Sequence, residues 1–361
     1  MSGADPAGLT VAAGPASGRG GRLALLFGGL AVLLAGGAVA SLALGAVEVS
    51  PGAVLRIFLH HLGLGEGTGF TGQENAVVWS IRLPRLLLAG LVGSGLGVAG
   101  AALQGVFRNP LADPQLVGVA GGAALGSTAA IAAAGGLLGD LAGPLGGFLG
   151  GLAAGAVVYS LARFRGRTEV VTMVLAGIAV GALGIAGAAL LGFAVDRPEL
   201  HSVVFWSLGT VSVATWRLVA VTSLFVVAAA LLLPFFSRAL DLLLLGDREA
   251  QHLGVAVERV RLAVLGLAVL ASAAAVSAVG VIAFVGLLAP HAVRLAAGPA
   301  HRVVLPGSAL SGAVLVLWAD LAARSLHPPV EVPVGLIVAV VGGPVFLWLL
   351  RRTRIQHGGW G

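Results

Sequence analysis

Two arginines three residues apart, Arg82 and Arg85 in the stretch RLPRLLLAG, stand at the edge of a long apolar run. A guanidinium carries five N–H donors in a fixed fork and can meet a carboxylate with two parallel bonds. Asp320 and Arg324 lie four apart, which puts them on one helical face, where the carboxylate can orient the arginine. A second polar set is Asp247, Arg248, Glu249 and His252, in LGDREAQHLGV. Asp247 can cap a helix there and Gly254 can end one. The enclosed turns would show Ala250 and Leu253 as a small apolar knob amid charge, a shape suited to a partner's groove; a solvated loop helix is the plainer reading. A third set, GLLAPHAVRLAAG, places His291 and Arg294 on one face after Pro290. With no other ligands nearby it is a poor metal site and reads as structural or interfacial. No nucleophile–base constellation or metal-ligand cluster occurs, so no catalytic residue and no metal site is expected.

Composition sets the frame for these residues. The 361-residue chain is 58% hydrophobic and 10% charged, with a mean hydropathy of +1.03. Soluble domains carry about 25% charged residues, so this is an all-α polytopic membrane protein. All 21 basic residues are arginine, and cysteine is absent. Without lysine there is no P-loop, so any ATP that drives the chain must be hydrolysed by a partner. The net charge of +6 reads as arginine-bearing loops that orient a membrane protein, not as a nucleic-acid surface.

A span needs about 20 mainly apolar residues. Residues 1–21, rich in Gly, Ala, Ser and Pro, are expected to be a disordered tail. Spans are predicted at 23–47, 84–107, 115–135, 142–162, 169–195, 214–236, 303–325 and 333–351. The first is too long for a signal peptide, and Pro84 fits the first turn of the second. SVVFWSLGT (202–210) reads as a short interfacial helix. Residues 262–297 are too long for one span; they hold either a helix extended on one side or two short spans with a turn near Gly280. Ten spans leave Arg56, Arg82, Arg85, Arg197, Arg217 and Arg324 outside and the other arginines inside. Nine would move Arg294, Arg302 and the C-terminal arginines out, so the positive-inside rule favours ten, with both termini cytoplasmic. Small residues at four-residue spacing (Ala89, Gly93, Gly97, Ala101 and Gly105; Gly143, Gly147, Gly151 and Gly155) predict close helix packing. Asn109-Pro110 and Asp113-Pro114 predict a rigid turn.

These stretches, RLPR, Gln104, RNPLADPQLVG, LGDREAQHLGV, the run from Gly280 to Ala313, ADLAAR and EVPVGLIVAVVGGPVF, resemble the FecCD family in order and spacing, over about residues 22–352. Its members are permease subunits of bacterial ATP-binding cassette importers for ferric siderophores, haem and cobalamin. The resemblance implies a type II importer permease fold of about ten helices, with residues 353–361 as a cytoplasmic tail, in the bacterial inner membrane. It implies a second permease chain, identical or paralogous, two cytoplasmic ATPase subunits carrying ATP and Mg, an extracytoplasmic binding protein, and no cofactor on this chain. Arg82, Arg85 and Arg324 take the positions that dock the binding protein, as in the cobalamin-importing members. Residues 246–256 take the place of the coupling helix set into the ATPase. Gln104 either faces the path or packs between helices, and Asn109, Pro110, Pro114, Pro290, His291 and Arg294 fall in structural motifs. The implied cargo is an iron chelate, by default a ferric siderophore, with haem and cobalamin as alternatives. An ion-coupled carrier is the other class, but the spans hold no chain of buried carboxylates and histidines to serve it.

Overall fold

The computed structural model describes residues 17–45, 47–65, 67–194, 208–326 and 330–356. Its elements are α1 (Ser17–Ala43), α2 (Pro51–His61), α3 (Gly72–Phe107), α4 (Val119–Leu138), α5 (Ala142–Ala162), α6 (Val170–Ala194), α7 (Trp216–Leu243), α8 (Asp247–His252), α9 (Val257–Val279), α10 (Val285–Ala297), α11 (His301–Ser325) and α12 (Val334–Gln356). Seven of these helices are long and apolar enough to cross a membrane, and α4, α10 and α12 supply three shorter apolar stretches. A two-stranded hairpin, β1 (Arg163–Phe164) with β2 (Arg167–Thr168), joins α5 to α6. Its turn, Arg165-Gly166, has positive φ at both residues, the geometry that matches strand twist in a tight hairpin.

The ambiguous stretch 262–297 resolves into two helices. α9 stops at Gly280, which has φ +81, and α10 begins at Val285 after a non-helical link. At 1.5 Å per residue the 13 residues of α10 rise about 20 Å. That is short of the ~30 Å hydrocarbon core; its buried residues run from Val285 to Val293, and its last turn is partly exposed.

Three boundaries differ from the sequence reading. α1 begins at Ser17, inside the expected tail, and α12 runs to Gln356, past the expected end at 352. A nucleated helix adds residues at little further cost, so it outruns the apolar stretch that nucleates it. The remaining tail residues, 1–16 and 357–361, lie outside the described residues. α3 starts at Gly72, where Thr71 and Glu74 form a reciprocal capping box. Pro84 is therefore interior to a continuous helix, and the widened π turn Ala76–Arg82 immediately precedes it. A proline removes one helical donor and crowds the carbonyl four residues back, and a wider turn gives that carbonyl room. Most of the expected helix over 202–210 lies outside the described residues; Leu208–Thr210 are not helical.

α3 is the axis of the bundle. Its apolar window is 78% buried, against 11% for α1 and 22% for α6. α11, α9, α7 and α10 all pack on it. The small-residue stripe does what its spacing predicts: a Cβ on Gly93 would stand 2.1 Å from the Gly312 carbonyl oxygen, and one on Gly97 2.2 Å from that of Ser308. A second face of the same helix meets α10, where a Cβ on Gly100 would fall 2.0 Å from Gly286 O. α4 and α5 approach as closely through Gly122 and Gly126 against Gly150 and Gly146. Gly151 and Gly155 of α5 turn to Ala273 and Val269 of α9. In lipid these backbone approaches replace the hydrophobic drive that water would supply.

Gly100→Ala should lower thermal stability in detergent by about 1–3 kcal/mol, the usual cost of overpacking, because backbone and not a flexible side chain blocks the new methyl. Gly266→Ala, on the exposed face of α9 with open space around it, should be neutral or stabilise by about 0.5–1 kcal/mol through helix propensity.

Candidate functional site

The chemistry-bearing residues gather at the two ends of α3. Arg85 and Arg108 are 23 positions apart on one helix, about 35 Å by helical rise.

At the Arg85 end, α1 finishes at Ala43 with carbonyls that have no helical donor. Arg82 supplies donors from α3: Nη1 to Leu42 O at 2.6 Å and Ala43 O at 3.2 Å, and Nη2 to Val47 O. Arg324 supplies more from α11: Nη2 to Ser41 O at 2.8 Å and to its hydroxyl at 2.9 Å, and Nη1 to Leu44 O at 3.1 Å. No basic residue of α1 itself stands in its last turn. Two borrowed cations therefore cap the negative end of its dipole.

Arg85 does different work. Nε and Nη2 donate to Asp320 at 2.8–3.1 Å, and Nη1 donates to both oxygens of Glu331 at 2.9 Å. Asp320 is fully buried, whereas the Glu331 side chain is 44% exposed. Arg85 thus joins α3, α11 and the segment leading into α12. Asp320 orients Arg85 and not Arg324, the partner expected from spacing on its own helix. The arginine across the helix contact offers two parallel bonds in fixed geometry, while Arg324 is drawn to the carbonyls of α1. Arg82 and Arg85 are 5% and 8% exposed. The arginines expected as free docking groups are used within the chain, and Arg324, half-buried, is the most accessible of the three. Glu331, which completes this cluster, lies inside the motif EVPVGL, but nothing in the sequence pairs it with a residue 246 positions away.

Between the ends, Gln104 closes a gap opened by a proline. Pro290 lies inside α10 and has no N–H to give Gly286 O. Gln104 Nε2 fills that place at 3.1 Å and also donates to Ala112 O at 3.2 Å, while its Oε1 accepts from Arg294 Nη1. At 2% exposure Gln104 is a knot between α3, α10 and the turn that follows α3. The turn is as rigid as its prolines predict. Asn109 Oδ1 accepts from Leu111 N, Asp113 Oδ1 accepts from Gln115 N, and Pro114 opens a 3₁₀ turn closed by Gly118. Pro110 holds the corner between these bonds. Burial pushes the Asp113 carboxyl up to about 6. Its proton is held more tightly folded than unfolded, so this group favours folding less as pH rises through that value. His291 is half-buried one turn before Arg294 on α10.

At the Arg108 end, the expected loop helix is present as α8. Gly246, with φ +124, is its N-cap, so Asp247 is its first residue and not the cap. A glycine can take that backbone and free the aspartate for other partners. Asp247 Oδ1 meets Arg108 Nη2 at 3.1 Å and Arg261 Nη2 at 2.8 Å. Gly254, with φ +85, stops the helix as expected. The apolar knob is only half what was expected: Ala250 is fully buried against the bundle, and Leu253 is 59% exposed. Leu253 is the C-cap of α8, and of the two only Ala250 packs against the bundle. Arg248, Glu249, His252 and Gly254 are exposed. Leu253 also lines an open cavity of about 440 Å³ with Phe235, Arg238, Leu242, Val255 and Val260. Asp241 accepts from both His301 N at 3.0 Å and His301 Nδ1 at 2.6 Å, tying the end of α7 to the start of α11. Arg108, Asp241, Glu258, Arg261 and His301 were not singled out from sequence; the only local signal was Glu258 three residues before Arg261.

Among the described residues, no group of three or more His, Asp or Glu could hold a metal ion.

Asp320→Leu should destabilise the protein by about 3–5 kcal/mol, because it leaves a buried guanidinium with half its partners gone. Glu331→Gln, at the exposed rim of the same cluster, should cost about 0–1 kcal/mol. Thermal unfolding in detergent separates the two.

The sequence profile described as the FecCD transport family matches residues 32–352. The hemin transport system permease protein HmuU of Yersinia pestis is 40% identical over 305 residues, 82% of this chain and 91% of its own length. The cobalamin import system permease protein BtuC of Halobacterium salinarum is 41% identical over 288 residues, 80% of this chain and 77% of its own. A metal-chelate type ABC transporter solved in an inward-facing conformation superposes with a TM-score of 0.77 at 32% identity, covering 91% of this chain and 99% of that one. With ten apolar helices among its described residues and a family match over residues 32–352, the chain belongs to the FecCD transport family.

Proposed function

We propose that this chain is the membrane permease subunit of an ATP-binding cassette importer, and that it moves a ferric siderophore across the bacterial cytoplasmic membrane. One observation carries the reading. α8 presents charged residues and Leu253 beside an open cavity, at the end of the bundle opposite the Arg85 cluster. Such a knob-and-groove surface is the shape through which a soluble ATPase can grip a membrane bundle. The positive-inside rule places that end in the cytoplasm, and both termini with it. The complex pairs this permease with a second copy or paralogue and with two ATPase subunits that hold ATP and Mg. The chain itself holds no cofactor. Cargo crosses by alternating access as ATP binding displaces α8.

An extracytoplasmic binding protein delivers cargo at the Arg85 end. Arg82, Arg85 and Arg324 serve that docking by fixing the rim it meets: they hold the end of α1 and the segment before α12 in register. Arg324 and Glu331 are the members of the cluster exposed enough to touch a partner. The names of HmuU and BtuC favour haem and cobalamin as the competing cargoes.

Uptake of labelled ferric siderophore, haem and cobalamin should be compared in cells lacking the gene and cells complemented with it. Loss and rescue of ferric siderophore alone is the expected result. Loss of haem or cobalamin instead replaces the cargo and keeps the mechanism, and uptake that persists without ATP overturns it. Leu253→Asp should reduce co-purification of the ATPase by about tenfold or more, as expected for a truncated interface hot spot, and normal co-purification would refute the role given to α8.

A further inference from the structure

The polar residues around Arg261 form a chain with a direction. Arg261 lies in the second turn of α9 and is 2% exposed. Its Nη2 donates to Asp247, the first residue of α8, at 2.8 Å, and its Nη1 donates to Glu258 at 3.2 Å. Glu258 in turn accepts from Thr168 Oγ1 at 2.7 Å and Thr168 N at 3.3 Å. Thr168 is the last residue of β2, two positions before α6 begins. The other cation on Asp247, Arg108, is 38% exposed. A wet pair of that kind contributes little, whereas the buried Arg261 cannot be parted from its carboxylates without leaving a charge unpaired. Arg261 Nε is also buried with no hydrogen-bond partner among the described residues.

We propose that Arg261 is the positioning residue that makes α8 move with α9 and, through Glu258 and Thr168, with α6. This rests on reading α8 as the seat of the ATPase. The two helices at the far side of the relay are unlike each other: α9 is packed inside the bundle, and α6 is buried over only 22% of its apolar window. A displacement of α8 is therefore passed both to a helix packed inside the bundle and to one at its edge, held by α4 and α5, which converts a push at the loop into a change of angle between them. Severing the relay leaves the grip on the ATPase, which belongs to the exposed side of α8, and removes its transmission into the spans.

The test uses the full complex reconstituted in vesicles with its ATPase and binding protein, measuring ATPase co-purification, ATP hydrolysis and cargo moved per ATP. Arg261→Met should keep the ATPase bound and hydrolysing and lower cargo per ATP by about tenfold, within the 5–150-fold range usual for coupling between sites. Arg261→Lys, which keeps the charge, should recover part of the ratio. Thr168→Val removes only the hydroxyl donated to Glu258 and preserves side-chain volume; it should lower the ratio by a smaller factor, and it decides the matter if Arg261→Met fails to assemble. An unchanged ratio in the assembled variants would overturn the proposal, as would uptake and hydrolysis falling in proportion, the signature of a purely structural loss. A wild-type chain that does not co-purify with an ATPase would instead overturn the importer reading on which the proposal stands.

Discussion

A carbonyl that loses its helical donor inside an apolar bundle must be given another, since no water is there to do it. That constraint organises this molecule, and α3 meets it repeatedly. Arg82 serves the end of α1, Gln104 serves the carbonyl that Pro290 orphans in α10, and Arg85 holds the carboxylate of α11. The same helix is stripped to glycine where it must come close: Gly93 and Gly97 against α11, Gly100 against α10. Close approach and polar satisfaction are one design, because Gly100 admits the Gly286 carbonyl to the surface of α3 and Gln104, one turn on, bonds it.

The two ends of the bundle are built to different standards. At the Arg85 end Arg82, Arg85 and Asp320 are buried, with Arg85 spending three nitrogens on two carboxylates, and Glu331 alone of the ion-paired groups there is wet. At the other end Asp247 and Arg108 are each more than a third exposed, and only Arg261 among their partners is buried. Saturated, buried clusters resist rearrangement, while part-wet ones exchange partners at small cost. For the importer role proposed above, that asymmetry would suit a rim that keeps its shape and a base that yields to a bound ATPase.

How much of this was legible in the sequence follows from the range of each interaction. The spans, the break near Gly280, the Asn-Pro and Asp-Pro turn and the glycine stripes are local or periodic, and they stand where spacing puts them. The loop helix was legible for the same reason, through its breaker Gly254, although its cap is Gly246 and not the expected Asp247. What the sequence misplaced were partners. Asp320 was matched with Arg324 because four residues separate them, yet its partner lies 235 positions away. Ala250 and Leu253 were read as one exposed apolar knob, yet Ala250 is buried against the bundle and only Leu253 is exposed. Glu331 carries no local signal and Arg261 only Glu258 three residues before it, since their roles exist only after α3, α9 and α11 have packed.

The absence of lysine acquires a structural meaning from these contacts. An ammonium is a compact point charge on a flexible stem and cannot hold two groups at set angles. Every buried arginine among the described residues holds at least two. Arg82 spans three carbonyls, Arg85 spans Asp320 and Glu331, and Arg261 spans Asp247 and Glu258, as half-buried Arg324 spans Ser41 and Leu44. Each guanidinium fixes the distance between two elements, where a lysine would only attract them. In a bundle whose helices are otherwise held by small residues and dispersion, such forks set register at each end, and they do so where a weakly hydrated, delocalised cation is the easiest charge to bury.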